Sequence, residues 1–317
     1  MRLLLAPLNW GLGHATRCVP LIRYLIQQGH ELVVASDGVA LAYLKAYFPS
    51  LDIREAPTLN LRYAKGISQV GAVIRQLPKL CYHAYKDHVW LKSILQDEHF
   101  DGVISDNRFG MWSSKTKSIY ISHQLMVKMP EPFKWMEGWV HRVHKWVIDH
   151  YDECLIPDWD SSPGLSGDLS HQYPLPRNAR FIGPLSRFMN MTLPEPNNTY
   201  DEVVVLSGLE PQRTMLERQL LQEYAASARK VLLLEGRPSQ TPLFSSTKNV
   251  HIHPHMSDEQ LLPFLMGAKR IVCRSGYSSV MDLAVLGLLD KAYLIPTPGQ
   301  TEQEYLATLH AGKTIPK

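Results

Sequence analysis

The sequence predicts an α/β protein built of two doubly wound domains that share a cleft. Three observations carry this. Short apolar runs alternate with helical patterns; the alternation breaks once at a Pro/Asn-rich segment and then restarts; and glycine- or serine-rich loops recur where a run hands over to a helix. A βαβα order makes the strands parallel and covers the sheet with helices, because parallel strands need long crossover connections.

The first half opens with an apolar run over 2–6, a helical pattern over 15–28, a run over 31–36 and a second helical pattern over 39–47. Further strands are expected at 102–105, 118–122 and around 152–156, which gives one α/β domain over residues 1–191. Residues 192–199, TLPEPNNT, hold two prolines and two asparagines with almost no apolar content, the composition of an extended linker. The rhythm restarts in 200–317, with strands at 202–206, 231–234, 250–253, 270–273 and 292–295 and helices at 211–226, 258–266, 278–286 and from 303. The tail GKTIPK carries no further element, so the second domain reads as cut short.

Length and composition agree with two domains. The chain has 317 residues, of which 45% are hydrophobic and 20% charged, enough for a large core and unlike disordered, collagenous or coiled-coil chains. Thirty-three basic against 30 acidic residues leave a net charge of +3, too weak to make nucleic acid the main partner. Cys18, Cys81, Cys154 and Cys273 are dispersed with no CxxC pair, so neither a disulfide framework nor a thiolate zinc site is expected, and a reducing cytoplasm fits. No apolar run reaches the roughly 18–20 residues that cross a bilayer, and the first ten residues turn polar too soon for a signal peptide. A soluble or peripheral protein is expected.

The chemistry concentrates in five loops at the carboxyl ends of strands, where open α/β sheets bind ligands. In NWGLGHATR, Gly11 and Gly13 permit tight turns, His14 stands at the cleft mouth as a candidate base, and Arg17 follows one turn later. A capping histidine is the plainer alternative. The Gly11-x-Gly13 pair with Asp37 downstream matches a dinucleotide fingerprint poorly, since Thr16 takes the third glycine position. SDNRFG puts Asp106 at the end of a strand, either in the cleft with His14 or capping a turn. In SGLEPQR, Ser207 and Gly208 offer hydroxyl and amide donors and Arg213 adds charge. CRSGYSSVMD clusters Arg274, Ser275, Gly276, Ser278 and Ser279 at a helix start, with Asp282 one turn on to accept ribose hydroxyls. Two such starts in one domain suggest a diphosphate site without a P-loop. In PTPGQTEQE, Glu302 and Gln303 are placed to read sugar hydroxyls, or merely fill an exposed turn.

Two further features read more plainly. His251, His253 and His255 alternate, but Pro254 interrupts them and no carboxylate or cysteine joins, so no metal site is expected. Trp135, Met136, Trp139, Val140, Val143, Trp146 and Val147 recur at helical spacing beside Lys134, Arg142 and Lys145; a core-facing stripe is the first expectation, a face resting on lipid the alternative.

Across nearly the whole chain, GLGHATR, SGLEPQR and CRSGYSSVMDLAVLGLLDKAYLIPTPGQTEQEYLA resemble the family 28 nucleotide-sugar glycosyltransferases of the GT-B fold, which include the N-acetylglucosaminyltransferase of peptidoglycan precursor synthesis. The resemblance implies two Rossmann-like domains, a UDP-sugar donor as substrate with no other cofactor, and a glycan or lipid-linked acceptor. It implies that Ser207 and the Ser275–Ser279 loop hold the diphosphate, that Asp282 replaces a ribose-binding glutamate, that Gln303 contacts the donor sugar and that His14 is the base. It also implies terminal helices that have no counterpart in this sequence. The GxGHxxR loop is similar to that of a UDP-sugar hydrolase of pseudaminic acid synthesis, where the matching histidine activates water. The expectation is an inverting, metal-independent glycosyltransferase, cytoplasmic or peripheral at the inner membrane face, with hydrolysis and inactive nucleotide-sugar binding as the alternatives. His14, helped by Asp106, would deprotonate the acceptor while Arg213 or Arg274 steadies the departing diphosphate.

Overall fold

The computed structural model describes residues 1–58, 69–238 and 241–311, so the tail read above, residues 312–317, lies outside the described residues. It divides into two units, Met1–Asn9 with His14–Leu185, and Trp10–Gly13 with Ser186–Lys317. The segment 192–199 therefore falls inside the second unit.

The first unit is ordered β1 (Arg2–Pro7), α1 (Gly13–Gln27), β2 (Glu31–Ser36), α2 (Gly38–Tyr47), β3 (Asp52–Glu55), α3 (Gln69–Asp97), β4 (Gly102–Asp106), β5 (Lys117–Ile121), α4 (Glu137–Ile148), β6 (Glu153–Ile156), α5 (Asp168–His171) and β7 (Ala179–Phe181). Its seven strands pair in the order β3-β2-β1-β4-β5-β6-β7, all parallel. Helices cover both faces of such a sheet, so its central strands are apolar throughout rather than alternating. Accordingly Leu4, Ala6, Val33, Ala35 and Val103 pack with Leu91, Phe100 and Met111 from the connections.

The second unit contains β8 (Glu202–Val205), α6 (Gln212–Ala225), β9 (Val231–Leu234), β10 (Val250–His253), α7 (Asp258–Gly267), β11 (Arg270–Arg274), α8 (Tyr277–Val285), β12 (Ala292–Ile295) and α9 (Thr301–Leu309). Its parallel sheet runs β10-β9-β8-β11-β12, with Val204, Leu233, Ile252 and Val272 packed against Leu216, Leu220 and Tyr224. In each unit the strand order reverses direction beside the first strand, which brings loops from neighbouring strands together at the carboxyl edge.

Candidate functional site

The register of the first sheet aligns Pro7, Asp106 and Ile121 at its carboxyl edge. Asp106 ends the strand beside β1 and is fully buried. One turn of α1 faces it, because residues three and four apart share a helix side. Arg17 Nε donates to Asp106 Oδ2 at 2.9 Å, Arg17 Nη2 donates to Oδ1, and Cys18 Sγ lies 3.4 Å from Oδ2. His14 Nδ1 stands 3.3 Å from both carboxylate oxygens, with its side chain 13% exposed. Burial alone would raise the Asp106 carboxyl, but the charges and hydrogen bonds of Arg17 and His14 outweigh it and hold the group well below the usual carboxylate range.

Arg17 also reaches two ring nitrogens, His14 Nδ1 and His123 Nδ1, each at 2.9 Å. A guanidinium only donates, so His123 accepts at Nδ1 and carries its proton on Nε2. His14 has two arrangements. When Arg17 donates to its Nδ1, the ring proton sits on Nε2; when Nδ1–H turns to Asp106, Nε2 keeps its lone pair and can act as a base.

In the second unit, β8, β11 and β12 are neighbours, so the turns that follow them lie side by side at the carboxyl edge. Gly208 is exposed at φ +104°, a backbone conformation that glycine adopts without strain. Gly276 is the N-cap of α8 and supplies no side-chain acceptor, and a Cβ added there would meet nothing within 4 Å. The cap of α9 likewise makes no side-chain cap bond, whereas the start of α6 is closed by Glu210, whose carboxylate accepts from Thr214 N at 3.2 Å. By contrast α7, which carries no predicted ligand residue, has a complete capping box between Ser257 and Gln260. Uncapped helix starts leave first-turn amides for an anion. Ser207, Ser278 and Ser279 are partly buried beside these turns, and Ser278 Oγ already donates to the Gly13 carbonyl at 2.9 Å.

Other residues expected to face a ligand are occupied internally. Arg213 is buried, and its guanidinium donates to the Glu210 and Glu217 carboxylates, to the Glu235 carbonyl at 3.1 Å and to Thr214 Oγ1. It braces α6 rather than presenting charge. Arg274 is also buried; it ties the Pro296 and Gln212 carbonyls at 2.9 and 3.0 Å, and burial lowers its pKa to about 10. Ser275 Oγ donates to the Gln303 carbonyl at 2.7 Å, while the Gln303 side chain accepts from Thr297 N and donates to Gln300, fixing the β12–α9 turn. Asp282 does not point at open space. It accepts from Ser186 Oγ at 2.7 Å and Arg187 Nε at 3.0 Å, and burial pushes its carboxyl up against the opposing pull of Arg187. It is a tether for the segment entering the second unit.

The aromatic stripe reverses the first expectation. The buried face of α4 is Glu137, His141, His144 and Ile148, whereas Trp139, Val143 and Trp146, with Trp135 from the preceding 3-10 turn, are 64%, 57%, 64% and 73% exposed. The polar face goes inward because each group meets a partner: Glu137 accepts from Met129 N, His141 bonds the Leu125 carbonyl and His144 bonds Tyr120. Burial lowers the His144 pKa to about 4, so it is neutral. His251 and His253 occupy the exposed side of β10, and His251 Nδ1 pairs with the Tyr200 hydroxyl. Asp37 is spent on Asn9 and Arg108.

Sequence reasoning missed His123 and gave Arg17 only a loop role. His123 follows β5 directly, so its place after a strand at the sheet's carboxyl edge was the available signal. It also missed β3, β7 and the long α3, whose short or mixed patterns do not stand out.

No protein-family model matches the chain. Two curated relatives, both named uncharacterized glycosyltransferase, come from Methanosarcina acetivorans (21% identical, 98% of this chain and 81% of the relative) and Methanosarcina mazei (22%, 98% and 84%). Among solved structures, the spinosyn rhamnosyltransferase SpnG complexed with thymidine diphosphate aligns at TM-score 0.62 and 16% identity, over 98% of this chain and 84% of that one. The same enzyme complexed with spinosyn aglycone aligns at TM-score 0.58. The fold is that of the GT-B glycosyltransferases, two parallel-sheet α/β units.

Proposed function

We propose that the protein is an inverting glycosyltransferase that moves a sugar from a nucleoside-diphosphate donor, UDP-linked by its motifs, to a hydroxyl acceptor. The observation that carries this reading is the His14–Asp106 pair at the carboxyl edge of the first sheet. The GT-B fold and the relatives' names support it.

In the base-competent tautomer, His14 Nδ1–H is held by Asp106 and Nε2 takes the acceptor's proton. The acceptor oxygen then attacks the anomeric carbon, the bond from that carbon to the diphosphate oxygen breaks, and attack from the opposite side inverts the centre. Asp106 stabilises the imidazolium that forms. The departing diphosphate is received by the amides at the start of α8 and by Ser207, Ser278 and Ser279, whose fixed dipoles supply positive potential without a metal ion. Arg17 and His123 orient the first group and take no part in bond making.

We place the acceptor on a lipid at the cytoplasmic membrane face. No helix among the described residues is long and apolar enough to cross a membrane. The exposed tryptophans of the α4 region suit the headgroup level instead, where an indole has one apolar and one wet side.

The test is nucleotide release from UDP- and TDP-sugars with and without acceptors. Release that rises with acceptor, and falls about 10²-fold or more in His14→Ala, is expected. Release that acceptor leaves unchanged would replace transfer with hydrolysis, and undiminished turnover in His14→Ala would remove the base.

A further inference from the structure

The first unit carries a concavity at the other end of its sheet from His14. Thr116 Oγ1 donates to the Phe100 carbonyl just before β4, so the segment ahead of β5 lies at the strands' amino ends. There the last third of α3 and residues 112–115 enclose about 280 Å³. Its walls are Leu91, Leu95 and the Trp112 indole, and Lys92 and Lys115 also line it. Both lysines are exposed, neither pairs with a carboxylate among the described residues, and no acidic side chain lines the space.

The aromatic wall and the two lysines point to an occupant. His88 also lines the space, with its Nδ1 buried in the wall and without a hydrogen-bond partner among the described residues. The indole is packed against two imidazoles, its ring 4.5 Å from that of His88 and 4.5 Å from that of His150. A packed aromatic wall and two cations without a carboxylate partner complement a flat apolar body that carries an anionic group. We propose that this pocket is a second binding site, for an aromatic carboxylate. The ring lies against Trp112, Leu91 and Leu95, and the carboxylate takes charge-assisted bonds from Lys92 and Lys115. The inference stands on the first unit alone and does not need the proposed transfer reaction.

Calorimetric titration of the whole protein with 2-naphthoate, and with the neutral 2-naphthylmethanol as its isostere, tests the site. Saturable one-to-one binding of naphthoate is expected, about tenfold tighter than the alcohol. Lys92→Glu with Lys115→Glu should weaken naphthoate by about tenfold or more and leave the alcohol nearly unchanged, and Leu95→Arg should abolish both. Circular dichroism and thermal melting identify any variant that fails to fold; Ser114→Trp, which fills the pocket from an exposed position, then replaces it. Saturating UDP should not compete. No saturation by about 10 mM, displacement by UDP, or full affinity in the double charge reversal would overturn the proposal.

Discussion

The carboxyl edges of the two sheets are built differently. In the first unit the edge is a side-chain cluster, with Asp106, Arg17, His14 and His123 interlocked and nearly closed to water. In the second the charged groups Arg213, Arg274 and Asp282 turn inward, and what remains at the edge is glycine, serine and uncapped helix starts. The difference teaches where chemistry and grip come from. A proton-transfer group needs a neighbour that fixes its tautomer, so it demands side chains at set distances. A diphosphate can be held by backbone amides, provided that no side chain crowds them.

The contrast can be broken most forcefully at Arg17. Arg17→Met strands a buried carboxylate, so it should cost about 3–5 kcal/mol of unfolding free energy, read from the urea midpoint at constant m-value. The same pair sets a pH dependence. Folding lowers the Asp106 pKa, so its contribution is complete above about pH 4 and is lost as the pH falls toward the folded value; Arg17→Met should raise the pH of acid unfolding.

Asp282→Asn is the next largest, an expected loss of about 1–3 kcal/mol because Arg187 and Ser186 lose an ionic partner. Its effect should fall on melting temperature while donor KM moves little; a large KM rise at unchanged melting temperature would return Asp282 to the ribose.

The second unit should respond to pH in the opposite sense from Asp106. Burial, with the Glu235 carboxyl beside it, raises the Glu217 pKa to about 7. Glu217 Oε1 is buried without a hydrogen-bond partner among the described residues, as suits a carboxyl held in its neutral form. Folding thus favours protonated Glu217, whose contribution is full below about pH 4.3 and is lost as the pH rises to about 7. Glu217→Gln should flatten stability across that window, measured by urea unfolding at several pH values.

The smallest stability effect is expected at the α4 surface. Trp139→Ser with Trp146→Ser should change unfolding free energy by no more than about 0.5 kcal/mol per site, since both are mostly exposed. The same pair should lower cosedimentation with phosphatidylglycerol vesicles, and retention at the original level would remove the membrane contact from the reading.

Much of the fold was legible in order of residues. The runs at 31–36, 231–234 and 250–253 coincide with β2, β9 and β10: β2 and β9 are buried parallel strands, apolar on both faces, while the edge strand β10 alternates buried Val250 and Ile252 with exposed His251 and His253. β3 reads DIRE, with no apolar face, and was not legible. Of the candidate site, the pairing of His14 with Asp106 was visible as two strand-end loops at one sheet edge. The inward turn of Arg213 and Asp282 was not, since it depends on Glu235 and Ser186, which lie 22 and 96 residues away. The stripe in α4 misled because indole spacing imitates a core face, while the true inner face is polar and satisfied by Met129, Leu125 and Tyr120.

By itself the sequence determined the strand and helix alternation, the glycine-bearing turns and the short list of groups able to move a proton or bind an anion. Those depend on periodicity and local backbone preference, which neighbouring residues set. Only the tertiary structure decided which charges face a ligand and which are consumed as struts. A buried ion must find its partner wherever packing brings one, and sequence distance does not report that.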